Sequence, residues 1–428
     1  MTAPLVLAIF VVLVAVHAAV ALWLARRQIA HVTARRAHVP ESFRSTISAD
    51  AHAKAADYTC AKQRFGMLQF GFGLLMLLSW TLAGGLEWLN QITLDFFGGD
   101  TDTGSTLAYQ VTLVFAFSLI GGILELPFDW YANFRLEERF GFNRMTIRLW
   151  LGDIVKNLLV GTLIGLPLIA VVLWLMGMAG QTWWLWAWGF WVTFNLVLMV
   201  IYPLFIAPLF NEFKPLEDEA LAARVKALMD RCGFSAKGLF VMDGSKRSAQ
   251  SNAYFTGLGR AKRVVFYDTL LARLSPGEVE AVLAHELGHF HHKHIIKMIV
   301  QIFAMSLLGL AALGWLAEQP AFFLGLGVTP NSSVPNDALA LLLFLLVLPS
   351  ATFFITPLGS LASRRHEFEA DAYARSHASA DELANALVKL TEDNAVTLTP
   401  DPLYVRFHYS HPPMIERLAA LRAVPAPA

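Results

Sequence analysis

The sequence predicts a mainly α-helical protein that crosses a membrane several times and carries a small α+β domain outside it. Of its 428 residues, 56% are hydrophobic and 15% are charged, whereas soluble domains are about 45–50% apolar and about 25% charged. Seven stretches are long and apolar enough to span a bilayer. The polar residues are concentrated in two segments, one of which contains short runs typical of strands.

The seven predicted spans each contain at least the roughly 20 residues that a helix needs to cross the hydrocarbon core. We interpret the first as a retained helix rather than a signal peptide, because no Lys or Arg precedes it and its apolar run is too long. The spans are predicted at residues 4–25, 66–88, 107–127, 157–178, 183–207, 297–317 and 338–357.

Basic residues are distributed unequally among the segments that connect these spans. The loops after the first, third and fifth spans and the tail after the seventh contain Lys and Arg, among them Arg35, Arg144 and Arg364. The loops after the second, fourth and sixth spans contain neither. Since loops rich in Lys and Arg remain in the cytoplasm, we expect the N-terminus outside and both polar segments in the cytoplasm.

This topology divides the chain into four parts. Residues 1–207 contain the first five spans, 208–296 are polar, 297–357 contain the last two spans, and 358–428 form a polar tail. Because the two polar parts lie on the same predicted side, we expect them to form one domain.

Within the first polar part, the sequence predicts both helices and strands. The segment "ALAARVKALMDRCGF" has helical spacing and ends at Gly233. The runs "GLFVMDG" and "RVVFYDTLL" are predicted strands, and "SNAYFTGLG" is a predicted extended segment that ends in turn glycines.

The segment "SPGEVEAVLAHELGHFHHKHIIK" is predicted to be a helix, with Ser275 as its N-cap and Pro276 at its first position. Side chains four apart share one face of a helix, so His285 and His289 can bind one ion. Glu286 can then reach a water on that ion. This is the HExxH pattern of hydrolases, in which zinc activates the water and the glutamate is the general base.

A catalytic zinc usually has three protein ligands and one open position. The helix-forming segment "SRRHEFEADAYARS" follows the last span and places Glu367 and Asp371 four apart on one face. Glu367 is the candidate third ligand, and Asp371 can accept a hydrogen bond that orients a ligand histidine. Without the HELGH segment, we would interpret the same residues as a solvated acidic face, with Glu369 as one more charge.

Three further histidines, His291, His292 and His294, follow the HELGH segment. On a continuous helix they point around the cylinder rather than at one ion, so we expect none of them to be a ligand. We interpret them as a polar junction before the sixth span, with His294 packing near the site.

Two other segments contain groups suited to peptide hydrolysis. Asn252 and Ala253 can bind an extended substrate if "SNAYFTG" is a sheet edge; the alternative is an ordinary hairpin strand. His411 and Arg417, in "FHYSHPPMIERLAAL", are candidate donors to a transition-state oxyanion; the alternative is the start of an interfacial helix after two prolines.

Several other classes of protein are disfavoured. Lys+Arg and Asp+Glu are equal at 33 each, which argues against nucleic-acid binding. Cys60 and Cys232 provide neither a disulfide framework nor zinc-binding spacing. A transporter would place ionisable residues within its spans, where His17 is the main exception. A scaffold with structural zinc would need a fourth ligand, and neither Cys232 nor His294 has suitable spacing.

Seven motifs occur together with the seven spans, and as a set they are highly specific: "LEERFGFNRMT", "YPLFIAPLFNEFKPL", "SNAYFTG", "RVVFYDTLL", "AHELGHF", "EFEADAYA" and "HYSHPPMIERLAAL". In these motifs nearly the whole chain resembles the type I CAAX prenyl endopeptidases, which are integral-membrane zinc metalloproteases. The chain departs from that family at His366 and Glu369, where aromatic and amide residues are usual.

The resemblance implies a barrel of seven helices around a large water-filled chamber, with a zincin-type metalloprotease domain closing it on the cytoplasmic side. It implies one zinc ion per chain. The site residues that it implies are the zinc ligands His285, His289 and Glu367, the base Glu286, the supporting Asp371, the substrate contact Asn252, and His411 and Arg417 at the active centre.

The resemblance also implies peptide or protein substrates, which in eukaryotes carry a prenylated cysteine followed by the three residues that are removed. The Ala-rich sequence, which lacks an ER-retention tail, indicates a bacterium and an inner-membrane location; a eukaryotic chain would lie in the ER membrane. Bacteria generally lack prenylated substrates, so clearance of misfolded membrane proteins is the second interpretation. The sequence leaves the oligomeric state open.

Overall fold

A computed structural model describes residues 1–98, 103–235, 238–256 and 263–423. Within these ranges the chain is mainly helical and forms one four-stranded sheet. The helices are α1 (Ala3–Arg35), α2 (Ala49–Trp80), α3 (Gly85–Phe96), α4 (Thr103–Tyr131), α5 (Glu138–Phe140), α6 (Ile147–Met178), α7 (Trp183–Ile201), α8 (Ala207–Phe210), α9 (Glu219–Arg231), α10 (Asp268–Leu271), α11 (Pro276–His291), α12 (His294–Ala317), α13 (Pro320–Gly325), α14 (Asp337–Thr352), α15 (Thr356–His377), α16 (Ala380–Asp393), α17 (Pro402–His408) and α18 (Met414–Arg422). The strands are β1 (Phe213–Pro215), β2 (Leu239–Met242), β3 (Ala253–Thr256) and β4 (Arg263–Tyr267).

Six helical segments of the described chain are long and apolar enough to cross a membrane, and the bent pair α2 and α3 makes a seventh if it counts as one span. This agrees with the predicted seven-span helical fold. Large apolar side chains lie exposed along these segments, such as Leu163 at 76% and Leu159 at 64%. The six segments are Ala3–Arg35, Thr106–Phe140, Ile147–Met178, Gly180–Phe210, His294–Ala317 and Asp337–His377.

The second span departs from the prediction of one continuous helix at 66–88. It breaks between Trp80 and Gly85, where the helix axis bends by 53°. Gly84 lies at the break with a φ of +78°, a left-handed conformation that glycine adopts without steric cost. Hydropathy could not reveal this break, because the residues on both sides of the turn are apolar.

A cavity of about 920 Å³ lies between α1, α2, α4 and α14. Its wall is mainly apolar but includes His17, Gln69, Glu125 and Ser350. His17 Nδ1 lies 3.2 Å from the Ser350 hydroxyl, so the polar residue noted in the first span has a partner in the last.

The connecting segments gather at the two ends of the bundle. At one end, Phe43 and Ile47 from the loop after the first span share a hydrophobic core with α9, α11, α15 and α16. Phe142, from the loop after the third span, packs beside it with Ala395. At the other end, α3 and α13 pack against the ends of the spans. Both polar parts of the chain therefore lie on the side of the loops that are rich in Lys and Arg.

The sheet has the strand order β1-β2-β4-β3, with β2 and β4 parallel and the two outer pairs antiparallel. The strand prediction for "RVVFYDTLL" is right for Arg263–Tyr267 and wrong for Asp268–Leu271, which form a helical turn. The Asp268 carboxylate starts this turn by accepting hydrogen bonds from the backbone N–H groups of Ser245 and Thr269. The predicted turn glycines at 257 and 259 lie outside the described residues.

Helix α11 begins as predicted. The Ser275 hydroxyl accepts a hydrogen bond from the Glu278 N–H, the Glu278 carboxylate accepts one from the Ser275 N–H, and Pro276 occupies the first position. This capping box satisfies free N–H groups at the helix start. Almost every side chain from Glu278 to Leu287 is buried, so α11 is the central helix of the domain.

Helix α15 packs directly against α11 at Gly288. A Cβ atom at this position would lie 2.9 Å from Ala370 Cα and 3.0 Å from Ala370 O. Because the atoms on the other side belong to the backbone, they cannot move aside as a flexible side chain would. The missing side chain of Gly288 therefore sets how closely the two helices approach.

Replacing Gly288 with alanine is expected to force α11 and α15 apart. Overpacking of this kind costs about 1–3 kcal/mol, so Gly288→Ala should lower the thermal unfolding midpoint of the detergent-solubilised protein. Gly152→Ala is the control, because nothing lies within 4 Å of the added methyl group. Equal midpoints for the two variants would contradict close packing at Gly288.

Candidate metal centre and active site

The two histidines of the HExxH segment meet a glutamate from α15. His285 Nε2 and His289 Nε2 lie 3.2 Å apart. Glu367 Oε2 lies 3.5 Å from His285 Nε2, and Glu367 Oε1 lies 3.3 Å from His289 Nε2. One atom from each of these residues can therefore bind a common ion, as the spacing predicts.

These separations suit zinc. Tetrahedral ligands with bonds of about 2.0–2.1 Å lie about 3.4 Å from one another, close to the distances between the three residues. Glu367 Oε2 is also buried and accepts no hydrogen bond, although Arg417 Nη1 lies 3.3 Å from it, and a buried acceptor without a hydrogen bond costs stability. A cation between His285, His289 and Glu367 would compensate that oxygen, so the residues present fit a metal ion.

The other nitrogen of each histidine is held by a neighbour. His285 Nδ1 lies 2.8 Å from Asp371 Oδ1, as expected from the position of Asp371 on α15. His289 Nδ1 lies 3.0 Å from His294 Nδ1. Hydrogen bonds at Nδ1 fix the tautomer and ring orientation of a ligand histidine, which leaves both Nε2 atoms directed at the ion position.

Arg417, from α18, is buried beside two carboxylates of α15, those of Glu367 and Asp371. Its Nε and Nη2 atoms donate to the Asp371 oxygens at 2.8 and 2.6 Å, and its Nη1 lies 3.3 Å from Glu367 Oε2. Only 6% of Arg417 is exposed. The fork of the guanidinium therefore holds Asp371 in the position from which it contacts His285.

The electrostatic field of the site favours a positive charge beside His285. Burial lowers the pKa of His285, but hydrogen bonds with Asp371 and Glu367 outweigh burial and raise the pKa to about 9. The two carboxylates thus stabilise a cation at the position where HExxH chemistry requires one. A divalent metal would occupy this field in place of a proton.

Glu286 lines a cavity of about 410 Å³ together with His285 and Glu367. Burial raises the pKa of the Glu286 carboxyl, the direction that makes a carboxylate a stronger base. His411 lines the same cavity, with its Nε2 3.4 Å from Glu367 Oε1 and 65% of its side chain exposed. The structure thus brings Glu286, His411 and Arg417 to one centre.

Asn252 and Ala253 also line this cavity. Strand β3 pairs with β4 on one side and is an edge of the sheet in the described chain. The carbonyl of Asn252 accepts from Tyr267 N on β4, whereas the N–H of Ala253 is bound by the Asn252 side chain. Since successive residues of a strand alternate, the Ala253 N–H points to the free edge.

Sequence reasoning placed His294 near the site but missed its contacts with His289, Glu369 and His366. His294 contacts His289 directly, Glu369 contacts His294 at 2.9 Å, and the His366 ring stacks on His294 with centroids 4.0 Å apart. The departure of His366 and Glu369 from the family pattern was the available signal. It could not be interpreted while the helix was assumed to continue through Lys293.

Comparison with known proteins identifies the family. Residues 28–212 match the N-terminal domain of CAAX prenyl proteases, described as five membrane helices, and residues 215–424 match peptidase family M48. The chain is also 32% identical to a CAAX prenyl protease 1 homolog of Oryza sativa subsp. japonica over 90% of each sequence. The chain belongs to peptidase family M48.

Other members of the M48 family show the same likeness. CAAX prenyl protease 1 of Saccharomyces cerevisiae is 37% identical over 74% of this chain and 73% of its own sequence. A CAAX prenyl protease 1 homolog from Homo sapiens is 30% identical over 90% of this chain and 89% of its own sequence. The crystal structure of S. mikatae Ste24p superposes with a TM-score of 0.89 at 31% identity, covering 99% of this chain and 100% of that one.

The predicted resemblance, fold class and class of enzyme are therefore confirmed. This M48 member is a membrane-embedded metalloendopeptidase that acts on peptides or proteins, rather than a transporter or an inactive scaffold. Its family implies a bound metal, and the one group of His, Cys, Asp and Glu side chains found to suit a metal in the described chain is His285, His289 and Glu367.

Removing the Arg417 charge is expected to destabilise the protein. Arg417→Gln leaves two buried carboxylates without their guanidinium, and breaking a buried pair costs about 3–5 kcal/mol. The thermal midpoint should fall most in protein treated with a chelator, in which no metal compensates Glu367. The exposed Arg422, one turn further along α18, provides the control Arg422→Gln. A midpoint for Arg417→Gln equal to the control would contradict this role.

Proposed function

We propose that this chain is a zinc endopeptidase that cleaves peptide bonds near the C-terminus of CAAX-type proteins. The observation that supports it most is that Glu286 and two of the three metal-binding side chains, His285 and Glu367, line one cavity together with residues of the edge strand β3. The names of the relatives from Oryza sativa, Saccharomyces cerevisiae and Homo sapiens support CAAX proteins as the substrate class.

We assign His285, His289 and Glu367 as the ligands of one zinc ion. When bound, zinc supplies a Lewis acid that polarises the scissile carbonyl and acidifies water. Asp371 holds the ring of His285, and Arg417 holds Asp371 through a bidentate pair. Both residues therefore preserve the geometry of the ligands.

Glu286 is the proposed general base. It accepts a proton from the attacking water and later passes that proton to the amine that leaves. His411 is the better placed of the two proposed oxyanion donors, because its side chain is open to the cavity, whereas Arg417 is buried and bound by Asp371 and Glu367. Arg417 thus contributes mainly through its positive charge and its contacts.

The free edge of β3 is the proposed substrate-binding strand. An extended peptide can add to a sheet edge through main-chain hydrogen bonds, and the outward N–H of Ala253 is one donor for it. The Asn252 side chain now binds that N–H at 2.8 Å and would exchange it for a substrate carbonyl. A peptide in this position lies in the cavity that Glu286 also lines.

We further propose that the catalytic domain faces the cytoplasm and the N-terminus lies outside. Support comes from Arg35, Arg144 and Arg364, which lie at the end of the bundle that carries the domain, and from the absence of Lys and Arg in the loops after the second, fourth and sixth spans. The proposed location is a bacterial inner membrane. The proposed catalytic domain consists of residues 208–296, between the fifth and sixth spans, and residues 358–428, after the seventh.

The direct test uses purified, detergent-solubilised protein and two matched peptides. One peptide carries a farnesylated CAAX cysteine and the other an unmodified cysteine, and product is measured by mass spectrometry. Wild-type protein is expected to cut the prenylated peptide. Glu286→Gln, which removes the base but no ligand, should lower turnover by at least about 100-fold while retaining zinc measured by elemental analysis.

Glu219→Gln, an exposed change at the start of α9, controls for loss of a carboxylate elsewhere and should cut normally. Turnover by Glu286→Gln equal to that of wild type would disprove the assigned base. Equal cleavage of the two peptides would instead favour clearance of membrane proteins without a prenyl requirement, and the ratio of the two rates measures the contribution of the lipid.

A further inference from the structure

A break in the helix brings His294 back to the metal centre. Helix α11 ends at His291, Lys293 adopts a left-handed φ of 56°, and α12 begins at His294. A positive φ is uncommon for a residue with a side chain and costs about 1–2 kcal/mol. The sharp turn at Lys293 places the ring of His294 against His289, where a continuous helix would direct it away.

His294 links His289 to a carboxylate through two hydrogen bonds. His294 Nε2 lies 2.9 Å from Glu369 Oε2, and His294 Nδ1 lies 3.0 Å from His289 Nδ1. An ionised carboxylate only accepts hydrogen bonds, so His294 donates from Nε2. Its Nδ1 is then the acceptor in a neutral ring, and His289 must donate from Nδ1.

This order of donors and acceptors determines the chemistry of His289. A neutral imidazole with its proton on Nδ1 has a free electron pair on Nε2, the atom that lies 3.2 Å from His285 Nε2. His289 is therefore held in the tautomer that a metal ligand requires. The other ligand histidine, His285, has its Nδ1 2.8 Å from Asp371 Oδ1, with Arg417 Nη2 at 3.4 Å.

The position of His294 is fixed by packing. Only 4% of His294 is exposed. The ring of His366 stacks on it with centroids 4.0 Å apart and planes 12° apart. Glu369 is in turn contacted by Arg365 at 3.4 Å. His366 and Glu369, both on α15, are thus in contact with His294.

We propose that His294 and Glu369 are positioning residues that hold His289 in its metal-binding tautomer through the hydrogen-bonded series Glu369, His294, His289. The inference rests on the zinc site proposed above and adds to it a support for the second histidine. It also gives the left-handed turn at Lys293 a function, since that turn is what returns His294 to the ligand.

The test exploits the shape of asparagine. The asparagine carbonyl oxygen is separated from Cα by the same number of bonds as histidine Nδ1, so His294→Asn keeps an acceptor for His289, whereas His294→Leu removes it. Loss of a side chain that supports a metal ligand weakens binding by about 10–100-fold. We expect that loss in His294→Leu and an affinity within about threefold of wild type in His294→Asn.

The measurement is the dissociation constant for zinc, obtained by competition with a chromophoric chelator on the full-length protein. The visible spectrum of the cobalt-substituted protein reports ligand geometry independently of activity. Glu369→Leu and Glu369→Gln provide a second pair of variants. Because one-third of the Glu369 side chain is exposed, these substitutions should disturb folding less than substitutions of the buried His294. Glu369→Leu should weaken zinc binding, and Glu369→Gln, which still accepts from His294, should restore most of it.

His291→Leu is the matched control. His291 lies in the same histidine run, but it is exposed and its ring contacts are with His292 and Tyr373 rather than with a ligand histidine. Its affinity for zinc should equal that of wild type. Wild-type affinity in both His294→Leu and Glu369→Leu would overturn the proposal, as would His294→Asn binding no better than His294→Leu. A wild-type protein that binds no zinc would instead overturn the proposed function.

Discussion

The close contact between α11 and α15 is the constraint on which the whole active centre depends. Two of the proposed metal ligands lie on α11 and the third lies on α15, so the distance between the helices determines whether the three side chains reach one ion. Gly288 permits that distance because it presents no side chain to Ala370. Helix α15 follows the last span after a single short turn, so the membrane part of the protein also positions the Glu367 ligand.

This packing concentrates negative charge in a buried place, and the surrounding residues are arranged to compensate it. Glu367 and Asp371 are both almost fully buried, and Arg417 supplies one positive charge for the two of them. The histidines are neutral when they bind a metal. With the histidines neutral, Glu367, Asp371 and Arg417 leave one excess negative charge. A metal ion compensates it when bound, and a proton on His285, whose pKa is raised to about 9, compensates it when no metal is bound.

The parts that the sequence predicts correctly are governed by local periodicity. The pairing of His285 with His289 and of Glu367 with Asp371 follows from helix geometry alone, and the spans follow from their length and hydropathy. The parts that it misses depend on single backbone angles, such as those of Gly84 and Lys293, or on contacts between distant segments. The role of His294 depends on a backbone angle and on a distant contact, because it requires the left-handed turn at Lys293 and the partner Glu369 on α15.

The order of the proposed ligands along the chain has a consequence for biosynthesis. The HExxH helix is translated before the last two spans, whereas Glu367 is translated after them. A nascent chain, or one truncated before the final span, therefore carries two ligands without the third. With the proposed ligands, the metal site can therefore be completed only after the last two spans have been translated.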